Sequence, residues 1–231
     1  MNIHSIILAR GGSKGIKNKN LIKINGKPLV YWSIKASLKS KKIHHTWVSS
    51  DSDKILNFSK KNGAKIIKRP KKPSDDSASS ESAWLDALTQ IEKKFSKKVD
   101  VVIGIQPTSP IKSKLDFEKA IEKFIKNKLD SLFTSSIIKD YCVWFEKRKK
   151  LVAIYNYKNR KRRQNIKSKF LENGSFYIFK ARKFKQVKNR LFGKIGTYVQ
   201  NRTKSFQIDN IEDAFIVNSL MKSKEIKRYN K

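Results

Sequence analysis

The alternation of short apolar runs with amphipathic helical segments through the first 135 residues constrains this chain more than any other feature. Residues 3–9 (IHSIILA), 44–50 (HHTWVSS), 64–68 (AKIIK), 99–105 (VDVVIGI) and 131–135 (SLFTS) have the length and composition of strands. Runs that stay apolar over most positions suit strands covered on both faces, the usual setting of a parallel sheet. The segments between them read as helices. Over 80–95, Ala83, Trp84, Ala87, Leu88 and Ile91 share one face at helical spacing, and near 115–126 Leu115, Ala120, Ile121, Phe124 and Ile125 fall together. Gly63 ends a third helix at the position a C-terminal cap prefers. The order predicts an α/β fold with a mainly parallel sheet and right-handed crossovers.

Sheets of this kind bind ligands beyond the carboxyl ends of their strands. The polar loops that follow strands are RGGSKGIKNKN (10–20), RPKKPSDDSAS (69–79) and QPTSP (106–110), so three candidate site loops should converge on one edge. The pattern breaks over about 137–169, where short aromatic pieces mix with basic turns. This reads as an inserted arm in a single domain of 231 residues. Tyr141, Trp144, Phe145 and Tyr155 stand on a segment too small to bury them all, which points to a second copy as partner, unless the arm folds back on its own sheet. The core resumes with GSFYIF (174–179), GTYVQ (196–200), SFQID (205–209) and a last helix carrying Ala214, Val217, Leu220 and Met221.

A net charge of +35 raises nucleic acid or an anionic membrane as partner. The lysines argue against it, because Lys35, Lys39, Lys60, Lys61, Lys93 and Lys94 are spread over outer helix faces and form no single stripe. A chain rich in Lys, Asn and Ile is what an AT-biased coding sequence produces. Cys142 is the only cysteine, so there is no internal disulfide and no thiolate metal cluster. The first apolar run is too short for a signal segment, and no stretch approaches the roughly 20 apolar residues of a membrane span. No membrane partner and a cytoplasmic location are expected.

In the first loop Gly11, Gly12 and Gly15 lack a Cβ, so backbone N–H groups there can approach a phosphate, with Arg10 and Lys14 as countercharge. The spacing matches neither a P-loop nor a dinucleotide fingerprint. On residues alone it is a polyphosphate cradle or a basic surface loop.

Taken in order along residues 3–220, LARGGSKGIKNKN, RPKKPSDDSAS, IQPTSP, RRQ and ENGSFYIF closely resemble the CMP-N-acylneuraminate synthetases, the cytidylyltransferases that activate sialic acids. The resemblance implies a Rossmann-like three-layer nucleotidyltransferase fold and a homodimer formed through the inserted arm. It implies that CMP passes from CTP to the anomeric hydroxyl of a nine-carbon 2-keto acid sugar, releasing pyrophosphate. Sister synthetases for legionaminic or pseudaminic acid, and a non-catalytic nucleotide- or nucleic-acid-binding descendant, are the alternatives.

By that resemblance Arg10, Gly11, Gly12, Ser13, Lys14, Lys19 and Asn20 wrap the triphosphate, and Arg10 and Lys14 stabilise charge growing on the leaving pyrophosphate. Arg69, Ala78 and Ser80 match the pyrimidine-recognising segment, while Asp75 and Asp76 suit turn formation and capping. Gln106 falls where the family contacts the acyl sugar. Arg163, with Arg162 beside it, matches an arginine implicated in catalysis and substrate binding, and a guanidinium fork suits the sugar carboxylate; otherwise RKRR is a solvated run. Asn173, Gly174 and Tyr177 are implied at the sugar, with Phe176 and Ile178 on the opposite strand face.

The family needs Mg²⁺ and commonly places two aspartates two residues apart near the end of a late strand. Here the positions read Gln207 and Asp209. One Mg²⁺ on the catalytic Asp209 and phosphate oxygens is therefore expected, since an amide is a poorer ligand for a hard cation. Asp213 is expected to complete a cap with Asn210, Lys17 is a possible extra phosphate contact, and His4, His44 and His45 show no ligand spacing.

Overall fold

The computed structural model describes residues 1–12, 15–70, 79–95, 98–139 and 142–223, with Arg163 described by its backbone alone. The strands are β1 (Ile3–Leu8), β2 (Lys23–Ile24), β3 (Lys27–Pro28), β4 (His45–Ser50), β5 (Lys65–Lys68), β6 (Val101–Ile105), β7 (Ser131–Ile138), β8 (Trp144–Lys147), β9 (Lys150–Ala153), β10 (Lys169–Lys180) and β11 (Ile195–Val199). The helices are α1 (Leu29–Leu38), α2 (Asp53–Lys61), α3 (Ser80–Phe95), α4 (Lys114–Lys126), α5 (Ala181–Val187) and α6 (Ile211–Lys222).

Seven strands form one sheet in the order β11-β7-β10-β6-β1-β4-β5. All pair in parallel except β10, which runs antiparallel to both neighbours. That reversal matters for the site. Phe176 lies opposite Ile105, the last residue of β6, so the residues before Phe176 project past the carboxyl edge of the parallel strands.

Alternation along the strands fills both faces. Ile7, Ile103, Ile105, Phe176 and Ile178 meet α1, α2 and α4, while Ile6, Val102, Tyr177 and Phe179 meet α3 and α5. Each large side chain fully buried this way contributes roughly 1.5–3 kcal/mol. Trp84 on α3 donates its indole N–H to the Ile6 carbonyl at 3.2 Å and lies against Gly104, where a Cβ would come within 2.7 Å of the ring. The glycine inside an otherwise branched strand is thus required by a tryptophan on the facing helix.

Two expectations need correction. On α4 the inward stripe is Phe117, Ala120, Ile121 and Phe124, whereas Leu115 and Ile125 are 38% and 49% exposed. Ser113 and Asp116 form a capping box that fixes where the helix starts. Residues 205–209 are not a strand. A 3-10 turn at Arg202–Ser205 precedes them, and Ile208 donates one backbone bond to the Thr108 carbonyl at 2.8 Å without a flanking strand. Ile208 buries its side chain with Ile24, Leu29, Ala214, Val217 and Met221 in a third apolar cluster under α6.

Past the main sheet β7 and β10 continue together, with Ile138 opposite Lys169, and carry the β8–β9 hairpin between them. Its two-residue turn, Arg148–Lys149, has φ of 50° and 60°, the positive values that match hairpin twist. Trp144 and Phe145 are exposed, and Tyr155 is half-buried with its hydroxyl accepting from the Trp144 indole at 3.2 Å. Tyr141 lies outside the described residues. Among those residues no helix is long and apolar enough to cross a membrane.

Candidate active site

The carboxyl ends of β1, β5 and β6 and the extended segment before α6 enclose a cleft of about 500 Å³. Arg10, Gly15, Lys19 and Asn20 come from the first polar loop, Arg69 and Ser80 flank the second, and Gln106 and Thr108 come from the third. Gln207 and Asp209 complete the wall. A larger surface groove of about 690 Å³, lined by Lys42, Lys119, Lys123 and Lys126, lies at the opposite, amino edge.

The first loop is held from below. The buried Asn20 side chain donates to the Arg10 carbonyl at 2.9 Å, and the Gly11 N–H donates to Asp51 Oδ1 at 2.7 Å. This corrects the reason for two glycines. A Cβ on Gly11 would lie 2.9 Å from Ser52 Cβ, and one on Gly15 would lie 2.4 Å from the Asp209 carbonyl oxygen. Both are demanded by the protein's own packing, and the Gly11 N–H is already committed to Asp51. Gly12 alone is open, with nothing near its missing Cβ. Ser13 and Lys14 lie outside the described residues, and Lys17 is exposed off the cleft.

Arg69 is anchored by its N–H to the Ser50 carbonyl at 2.8 Å. Ala78, Asp75 and Asp76 lie outside the described residues. The hydroxyl at the start of α3 is that of Ser79, which accepts from the Ser82 N–H at 3.2 Å.

Lys19 Nζ donates to Asp209 Oδ1 and to the Ile208 carbonyl, both at 3.0 Å. The Asp209 side chain is 68% exposed, so solvent screens the pair and leaves it worth at most about 1 kcal/mol. Lys19, its side chain only 15% exposed, therefore lines the cleft as a cation whose charge is only weakly neutralised. Asp213 is committed elsewhere: its carboxylate accepts from the Asp209 and Asn210 N–H groups at 2.9 and 3.1 Å while its own N–H donates to Asn210 Oδ1. The expected cap is present.

Among the described residues no group of three or more His, Cys, Asp or Glu is placed to hold a metal. One solvent-facing carboxylate, Asp209, fits a Mg²⁺ that arrives with phosphate oxygens and keeps much of its water, and does not fit an all-protein cage.

Gln106 opens the third loop on an unusual support. Lys112, buried, donates to the Gln106 carbonyl at 2.9 Å, the Ser175 carbonyl at 3.0 Å and Ser33 Oγ at 3.4 Å. Three ammonium protons thus meet three acceptors. Burial pushes its pKa down to about 7, with the Asp116 charge opposing. Asp116 is in turn gripped by buried Lys204 at 2.9 and 2.8 Å, which fixes the turn leading to Gln207 and Asp209. The sequence reading missed both lysines, and among 54 lysines and arginines no spacing sets them apart.

Asn173, Tyr177 and Arg162 do not line the cleft. Asn173 is buried, accepting from Thr134 Oγ1 at 2.6 Å and donating to Gln200 Oε1 at 3.0 Å. Tyr177 packs on the α3 side of the sheet and donates its hydroxyl to Glu172. Burial, then Glu172, raises its pKa. Arg162 is exposed in the arm, and the Arg163 side chain lies outside the described residues.

Residues 4–229 match the family described as Cytidylyltransferase. The post-translational flagellin modification protein B of Campylobacter coli is 33% identical over 224 residues, covering 95% of each chain. The CMP-N,N'-diacetyllegionaminic acid synthase of Campylobacter jejuni is 33% identical over 229 residues, again 95% of each. The N-acylneuraminate cytidylyltransferase of Oncorhynchus mykiss is 35% identical over 184 residues, 77% of this chain but 41% of the fish protein, so this chain spans less than half of that relative. A solved CMP:2-keto-3-deoxy-manno-octonic acid synthetase complexed with CTP superposes with a TM-score of 0.68 at 16% identity, over 96% of this chain and 98% of that one, which shows a shared fold. A family match running almost from end to end, on this mostly parallel sheet with its cation-lined carboxyl edge, places the chain in the cytidylyltransferase family.

Proposed function

We propose that this chain transfers CMP from CTP to the anomeric hydroxyl of a sialic acid-like nine-carbon 2-keto acid sugar. The observation that carries the reading is the convergence on one cleft of Arg10 and Lys19 from the first loop, Arg69 from the second, Gln106 from the third and Asp209 from the segment before α6. The sugar oxygen bonds to the α-phosphorus, the bond to the departing pyrophosphate breaks, and the hydroxyl proton passes to solvent.

Arg10 and Lys19 line the cleft and in this reading bind the triphosphate and stabilise charge on the leaving group, Lys19 exchanging its bond to Asp209 for phosphate oxygens. Lys14 from the same loop adds to them. Arg69 and Ser80 border the cytosine, and Ala78 is assigned to the same recognition. Gln106 faces the sugar, and Arg163 from the arm binds its carboxylate. Asp209 would hold the Mg²⁺, which supplies charge neutralisation at the phosphates when bound. A cytoplasmic location is proposed with it.

A sister sugar is the second reading. The legionaminic acid synthase matches along 95% of its length, unlike the fish sialic acid enzyme. One experiment covers both: the chain is incubated with CTP, Mg²⁺ and sialic, legionaminic or pseudaminic acid, and pyrophosphate is followed. Release is expected with CTP and at least one sugar, and Asp209→Ala should lower kcat/KM about a hundredfold. No release with any sugar overturns the proposal.

A further inference from the structure

We propose that Gln207 reads the sugar beside Gln106, over Gly174 of β10; the inference rests on the function proposed above. Gly174 sits in the irregularity of β10 with φ of +63°. The space its Cβ would fill is claimed from two directions. Gln106 Oε1 lies 3.1 Å from that point, and Gln207 Nε2 and Oε1 lie 3.2 and 3.4 Å from it. The two carboxamides therefore converge over one glycine.

Asp209 turns elsewhere. Its carboxylate is bound to Lys19, and its carbonyl oxygen presses on Gly15 of the first loop. In a sheet strand residues 207 and 209 would present their side-chain heads together. This segment is not in a sheet: Ile208 is pinned between Thr108 and the cluster under α6, the Gln207 amide lies over Gly174 and the Asp209 carboxylate meets Lys19.

The chemistry follows the geometry. Each carboxamide offers two N–H donors and an acceptor oxygen, so the pair forms a neutral array for hydroxyl or acylamino groups. It is poorly suited to a phosphate or to Mg²⁺. Lys112 fixes the main chain of Gln106 and Lys204 fixes the approach to Gln207, so both amides stand on rigid supports.

The test compares the wild-type chain with Gln207→Ala and Gln207→Asp. Pyrophosphate release gives KM for the sugar acid and for CTP, and Mn²⁺ binding in the presence of CTP is titrated by electron paramagnetic resonance. Both substitutions should raise the sugar KM about tenfold and leave the CTP KM within about twofold, the loss of one hydrogen-bonded contact. The number and affinity of bound Mn²⁺ should not change. An unaltered sugar KM in Gln207→Ala overturns the inference, as does stronger or additional Mn²⁺ binding by Gln207→Asp with the sugar KM unmoved. A wild-type chain that releases no pyrophosphate with any sugar removes the proposed function, and this inference with it; that failure shows before any variant is made.

Discussion

A buried histidine must settle on a tautomer, and the neighbours of His4 leave it one. The Trp47 indole donates to Nδ1 at 3.3 Å, while Nε2 lies 3.0 Å from Asn2 Oδ1, so the proton belongs on Nε2. Protonating Nδ1 would set one N–H against another. Burial, then the charges of His45, His44 and Lys65, lowers its pKa from 6.5 to about 4, with Glu92 opposing. Between those values the unfolded chain binds the proton and the folded chain does not, so stability must fall as pH drops from about 6.5 toward 4. Urea unfolding at steps between pH 7 and 5 should show that slope, reduced in His4→Gln; His45, also lowered, retains part of it. An identical slope in the variant would remove His4 as its source. Nothing in the sequence announced this cluster, because His4 and His45 meet only through the β1–β4 register.

At the scale of elements, β1 and β6 were legible as short, largely apolar runs buried on both faces, β4 by its place in the alternation despite its buried Thr46, Ser49 and Ser50, and the α3 face by its 3.6-residue stripe over 16 residues. What periodicity leaves open is decided by partners. SFQID alternates like a strand, yet the 3-10 turn before it and the burial of Ile208 under α6 leave it with no strand to pair. On α4 Ala120, Ile121 and Phe124 face inward as expected, and Phe117, one turn before Ile121, completes the stripe in place of Leu115 and Ile125 at its edges. The site was legible as three loops on one edge; its supports, Lys112 and Lys204, were not, since burial of a lysine depends on tertiary contacts. Capping at α6 links element to site. Asn210→Ala should cost about 1 kcal/mol and lower Tm by roughly 2–4 °C. Because Asp213 of the same box holds the Asp209 N–H, kcat/KM should fall as well, and Asn210→Asp should restore both. An unchanged Tm in Asn210→Ala would show that the cap contributes nothing.

At the scale of the whole molecule, an apolar arm has to be reconciled with a charge of +35. A lone two-stranded hairpin is marginal in water, yet β8–β9 exposes Trp144, Phe145, Leu151 and Val152, and the adjoining β7–β10 extension exposes Ile137, Phe170 and Leu171. We propose that a second copy covers this surface, the homodimer that the sequence resemblance implies. Two such cations repel, so apolar burial must outweigh a long-range penalty that salt screens over a Debye length of roughly 10 Å at 0.1 M. The sign of the salt effect is therefore diagnostic. Light scattering should give the mass of two chains, with a Kd that tightens as salt rises from about 0.05 to 0.5 M, the reverse of an ion-paired interface. Phe145 and Val152 are register partners on one face of the hairpin. Phe145→Lys with Val152→Lys should yield a folded monomer, because neither side chain belongs to the main core, with a Tm that no longer depends on protein concentration. A dimer that loosens with salt, or one that survives the double substitution, would place the interface elsewhere on the molecule.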